Sequence, residues 1–168
     1  MNWEAIGAVG EIIGAAAVVA TLIYLTVQIR ESTRASRAVA ITDATAAVQA
    51  WYQDVGSNPG SAKLFLDGMA KPDSLSSVER FQFVMLIHSI FLGFQRTFFL
   101  SHAGTLDAGL RDSIGTAVHV VNQLPGVHFY WKQRREFFQP EFVAWVEELL
   151  ARKPLPGMDD YVGKAGQD

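Results

Sequence analysis

Four histidines, His88, His102, His119 and His128, are the side chains of this sequence best suited to hold a metal or shuttle a proton. Metal-binding bundles set such ligands three or four residues apart, so that they share one helix face. None of the four stands in an HxxxH or ExxH arrangement, and His88, in an apolar run, reads as a hydrogen-bonded core residue. Cysteine is absent, which removes thiolate ligands, disulfides and cysteine nucleophiles. Serines are plentiful, but none sits in a GxSxG elbow. The spacing Gly7-x-x-Gly10-x-x-x-Gly14 lies inside an apolar helical window rather than after a strand, so it is no phosphate loop. These patterns point away from an enzyme: no catalytic residue, cofactor or metal is expected.

Two other clusters carry physical content. His128–Phe138, HFYWKQRREFF, interleaves Tyr130, Trp131 and Phe138 with Lys132, Arg134 and Arg135. Trp131 and Arg135 are four apart, a spacing that lets a guanidinium stack on an indole. The cluster reads as an aromatic lock between the last helices with its basic residues solvated, or as a basic aromatic face against anionic lipid headgroups. The second is Glu11, a carboxylate at the edge of an apolar run. It suits the positive end of a helix at a membrane interface; enclosed between helices, it would be a polar site for packing, a proton or a cation.

The element that positions Glu11 is the opening helix. Ile12–Ile29 is 18 residues without a charge, which at 1.5 Å per residue is roughly 27 Å, close to the hydrocarbon thickness of a bilayer. A secretory signal would need a basic leader, and Met1–Gly10 has no Lys or Arg. Glu4 and Glu11 precede the run; Arg30, Arg34 and Arg37 follow it. Because basic flanks are retained in the cytoplasm, the expected topology is a single span with the N-terminus periplasmic and the remainder cytoplasmic. Trp3 and Tyr24 have the amphipathic character of interface residues. Around the helix, Gly7, Gly10, Gly14, Ala17, Thr21 and Gln28 fall within about 80° of one another, opposite Ile12, Val19 and Ile23. In lipid, small residues let two helices approach and gain dispersion contacts, as at a GxxxG pair.

Downstream, no glycine or proline interrupts the chain until Gly56, so the span is expected to continue as a helix to Val55, with a bend near Ser32–Ser36. Its apolar positions there, Val39, Ile41, Ala46, Val48, Trp51 and Tyr52, form no clean stripe. GSNPGS breaks the run, and short helices follow: Ala62–Met69, then Val78–His102 opened by the capping box Ser76-Ser-Val-Glu79, then Leu106–Leu124. Pro125-Gly126 reads as a turn before a helix over Val127–Phe138, and Pro140 opens the last one. Phe81–Gln95, 15 residues with His88 at its middle, is short for a second span and suits a central bundle helix.

The sequence resembles a widespread family of uncharacterised bacterial single-span membrane-anchored helical proteins. The resemblance rests on Trp3-Glu4-Ala5-Ile6-Gly7 through Gln28-Ile29-Arg30, on Phe98-Phe99 with Gly104-x-Leu106-Asp107, and on Pro125-Gly126 through Tyr130-Trp131, Arg135, Phe138 and Pro140-Glu141-Phe142. It implies a bacterial inner-membrane location and no assigned activity. The chain departs from the family's pattern at Gln95 and Arg96 and near Ser101-His102.

The sequence therefore predicts an all-α protein: a transmembrane anchor over 1–30, a helical extension over 31–55, a small cytoplasmic bundle over 56–152 and a tail over 153–168. Apolar residues at 49% against 18% charged fit a chain with lipid-facing surface, and a net charge of −3 argues against a nucleic-acid partner. The expected function is structural: self-association into a homo-oligomer through the small-residue face, a scaffold in the bilayer. Two alternatives stand beside it. One is an accessory subunit of a larger membrane complex. The other is a ligand- or lipid-binding sensor with a polar pocket built from His88, Gln95, Arg96 or His119.

Overall fold

The computed structural model describes residues 3–155, apart from the side chains of residues 4–6. The expected tail lies, beyond Leu155, outside the described residues. Among the described residues are six α-helices and no strand, and the chain divides into two compact units after Val39.

The first unit is the N-terminal part of α1 (Trp3–Ser57). The helix runs through Ser32–Ser36 without interruption, where the sequence suggested a bend. Within that segment Thr33 Oγ1 donates to Ile29 O at 2.8 Å, and farther up the helix Thr21 Oγ1 donates to Ala17 O at 2.8 Å and Thr26 Oγ1 to Leu22 O at 2.7 Å, so these hydroxyls are satisfied by their own helix. All of Ile12–Ile29 is exposed, on a helix long and apolar enough to cross a membrane.

The second unit begins at Ala40 and contains the rest of α1 and five further helices. These are α2 (Pro59–Ala70), α3 (Ser77–His102), α4 (Ala108–Val120), α5 (Pro125–Arg134) and α6 (Pro140–Leu150), with 3-10 turns at Pro72–Ser74 and Arg135–Phe137. The centre is α3, which packs against α2, α4 and α5. Phe83, Ile87, Ile90, Phe94 and Phe98 recur at helical spacing and are buried, with Val84 and Phe91 beside them. The helix is long and apolar enough to span a bilayer, but its wide apolar face is already covered by its neighbours.

The helix ends follow from local chemistry. Ser76 and Glu79 close the expected capping box, with Glu79 N donating to Ser76 Oγ at 3.3 Å and Ser76 N to Glu79 Oε2 at 2.9 Å. Those bonds favour the ionised carboxyl and hold Glu79 below the usual carboxylate range. At the far end of α3, Gly104 takes φ +67°, and Thr105 N donates back to Leu100 O at 2.9 Å, a left-handed stop that side chains rarely tolerate. Asp107 then caps α4 through Gly109 N at 2.7 Å.

Several boundaries differ from the sequence reading, three of them for one reason. Asn58 and Pro59 lie in the expected breaker, yet Asn58 Oδ1 accepts from Gly60 N at 2.9 Å and Pro59 is the first residue of α2. Likewise Pro125-Gly126 is not a turn but the start of α5. A proline whose missing N–H costs a helix nothing at its first position opens α2, α5 and α6 alike. Accordingly α4 stops at Val120, before this entry, rather than at Leu124.

Candidate functional site

The small-residue face occupies the first unit. Among the described residues, a Cβ built on Gly7, Gly10 or Gly14 meets no atom within 4 Å. Ala17 and Thr21 are exposed beside it, the Thr21 hydroxyl bound to its own helix. Gln28 Nε2 donates to Tyr24 Oη at 2.7 Å, one turn back. That bond satisfies part of the amide without a partner helix and ties it to the ring expected at the interface. Glu11 is exposed next to the stripe.

The aromatic cluster lies in the second unit and divides sharply by depth. Tyr130, Trp131 and Phe138 are 0%, 6% and 7% exposed, whereas Lys132 and Arg135 are at the surface. Trp131 stacks on Phe138 with ring centroids 5.7 Å apart and planes 16° apart. Arg135 does not lie on Trp131 as the four-residue spacing suggested. Because α5 ends at Arg134 and tightens into a 3-10 turn, Arg135 points elsewhere and reaches Glu147 at 3.3 Å. The guanidinium–ring contact in this region belongs to Arg134, 4.9 Å from the Phe137 ring. Trp131 Nε1 is buried and has no hydrogen-bond partner among the described residues.

His88 joins this cluster from α3. Its Nδ1 is 2.9 Å from Tyr130 Oη, and its ring lies near Phe137 and Phe138. Burial, helped by the Arg134 guanidinium, lowers the imidazole below its ordinary range. Burial raises the Tyr130 phenol well above its own. The phenol therefore keeps its proton and shares this hydrogen bond with a neutral imidazole. Sequence spacing could not find this pair, which is separated by 42 residues.

The polar pocket expected for a sensor is not assembled from the residues named for it. Gln95 Oε1 accepts from Gln139 N at 2.9 Å, at the start of α6. Arg96 pairs with Asp43 of α1 at 3.3 Å, both about half exposed, and such a pair contributes little. His119 meets Lys153 O at 2.7 Å and His128 meets Asn122 O at 2.7 Å. His102 contacts Phe98 O at 3.0 Å. Each polar group has its own structural partner. Among the described residues, no three of His, Cys, Asp and Glu come together in a way that would hold a metal ion.

No protein-family model, curated protein or solved structure matches this chain.

Proposed function

We propose that this chain is a non-enzymatic, single-span protein of the bacterial inner membrane. In this reading it self-associates through the small-residue face of its span and carries its bundle in the cytoplasm. One observation carries the proposal: Ile12–Ile29 is an uncharged helical run, exposed at every residue, with the Gly7, Gly10 and Gly14 stripe uncovered. An apolar surface of that extent is rarely left in water. Lipid covers the bulky side, and a second span is the natural cover for the small-residue side, where close approach gains dispersion contacts that lipid chains do not match. Periplasmic exit of the N-terminus follows from the arginines after the span.

Gly10→Leu and Gly14→Leu place a branched side chain on the stripe and leave the sequence of the bundle unchanged. In mild detergent, native mass spectrometry should find the wild-type chain as an oligomer and either variant as a monomer. A wild-type chain that is monomeric alone, and is recovered from membranes only with a fixed larger partner, would replace self-association with the role of accessory subunit.

A further inference from the structure

The buried face of α3, centred on Phe83, Ile87, Ile90 and Phe94, does not use up its apolar side chains. On the opposite side a second, narrower stripe steps alternately three and four residues from Val78 to His102. Val78, Phe81 and Leu92 on it are 68%, 63% and 47% exposed, and Met85, His88 and Phe99 are half-buried. Two positions in every seven is the spacing by which one helix receives another, knob into hole, whereas a helix facing its own core uses a wider face. The stripe is roughly 36 Å long, and no Lys, Arg, Asp or Glu stands on it. Its three polar side chains already hold hydrogen bonds within their own chain: His88 with Tyr130 Oη at 2.9 Å, His102 with Phe98 O at 3.0 Å, and Gln95 Oε1 with Gln139 N at 2.9 Å.

We propose that this stripe is a contact surface for a second copy of the chain, the two α3 helices lying antiparallel about Ile90. Reversed end to end, the stripe is its own complement: Phe81 meets Phe99, Met85 meets Gln95, His88 meets Leu92 and Val78 meets His102. Every position is used and every polar side chain faces carbon, the self-complementarity that a two-fold pair requires. Parallel helices would instead set His88 on His88 and Gln95 on Gln95. The exposed flank agrees, because Gln82 then lies near Arg96 of the other copy and Ser89 near Ser89, so no like charges meet. A bilayer surface is the poorer cover. A helix lying on lipid carries Lys and Arg along its polar face, and the two arginines of α3 are engaged within the bundle. Arg80 donates to Asp73 O at 3.3 Å, and Arg96 pairs with Asp43 at 3.3 Å. A strip of this length and 10–12 Å wide is roughly 400 Å² per copy, half of the about 800 Å² of a stable interface. The contact is therefore weak between free chains and closes where copies are held together at roughly millimolar effective concentration, so it rests on the self-association proposed above.

The test uses full-length chains in their membranes, a short bismaleimide and single cysteines in a chain that has none. Ser89→Cys lies beside the two-fold and should link to itself. Val78→Cys and His102→Cys, co-expressed with different tags, should link to one another, and neither should link to its own kind across roughly 36 Å. Leu92→Asp, which would bury a carboxylate in the contact, should cut Ser89→Cys linking about tenfold; if circular dichroism shows that it loses helix, Phe81→Asp takes its place. Val78→Cys linking to itself as readily as to His102→Cys overturns the proposal, as does Ser89→Cys linking that the aspartate leaves unchanged. Capture of Ser89→Cys on a different protein in place of its own copy also overturns it. An oligomer by native mass spectrometry in which Ser89→Cys stays unlinked overturns the α3 contact and leaves the interface of the spans standing. Linking that survives Gly14→Leu supports the α3 contact and overturns the spans as what holds the copies together.

Discussion

At the scale of single residues, the arrangement around His88 has a consequence for stability. The neutral ring is hydrogen-bonded to the Tyr130 phenol among aromatic side chains and beside Arg134. With its folded value lowered, the unfolded chain binds the proton more readily, so stability falls as pH drops below about 6.5, the ordinary histidine value. The melting temperature of the bundle should therefore decline from pH 7 to pH 5, and His88→Gln should flatten that decline. An unchanged slope in His88→Gln would assign the effect to other groups. Glu79, held low by its cap, contributes at a more acidic stage, below about 4.5. The serine–glutamate cap was legible in sequence because it is local. The His88–Tyr130 bond was not, because it exists only after α3 and α5 pack.

At the scale of elements, the second unit is held by close approaches that side-chain patterns show only in part. A Cβ on Gly126 would lie 2.3 Å from Gly68 O and 2.5 Å from Met69 Cα, so α2 and α5 touch backbone to backbone. Gly126→Ala should cost about 3 kcal/mol, or roughly 10–20 °C of melting temperature. Gly93→Ala is the contrast, since its Cβ meets nothing within 4 Å in the middle of α3. There the change should stabilise by about 0.5–1 kcal/mol, by raising helix propensity. Thermal melts with the same sign for both variants would refute the assignment of Gly126. The same reasoning explains what could be read. The order of helices and the central place of α3 were legible from apolar spacing and the Ser76 cap. The stripe on the last part of α1 was missed because two of its members are alanines. Ala40, Ala44, Val48, Trp51 and Val55 follow helical spacing, and Ala44 is buried, but small residues weigh little in a hydrophobic pattern. Likewise, the prolines of α2 and α5 read as breaks until their places as first helical residues were visible.

At the scale of the whole molecule, the two units differ in how much apolar surface they bury. The bundle buries its own core, whereas Ile12–Ile29 exposes nine Leu, Ile and Val side chains and buries none of them. Each contributes about 0.3–0.6 kcal/mol to insertion near the centre of a bilayer, enough together to favour a span over a solvated helix. The hydroxyls of Thr21 and Thr26 are already satisfied within the helix, which removes much of their cost in lipid. In the proposed topology, orientation depends on Arg30, Arg34 and Arg37, the basic flank that the positive-inside rule assigns to the cytoplasmic side. The natural absence of cysteine makes single reporters clean. In intact bacteria stripped of their outer membrane, an impermeant maleimide should label Asn2→Cys at once and Ala108→Cys only after the inner membrane is permeabilised. The reverse pattern would invert the topology, and labelling of both before permeabilisation would mean that the chain does not cross the bilayer. Replacing Arg30, Arg34 and Arg37 with glutamine should weaken the asymmetry while the bundle stays folded, because none of the three lies in the unit that forms the core.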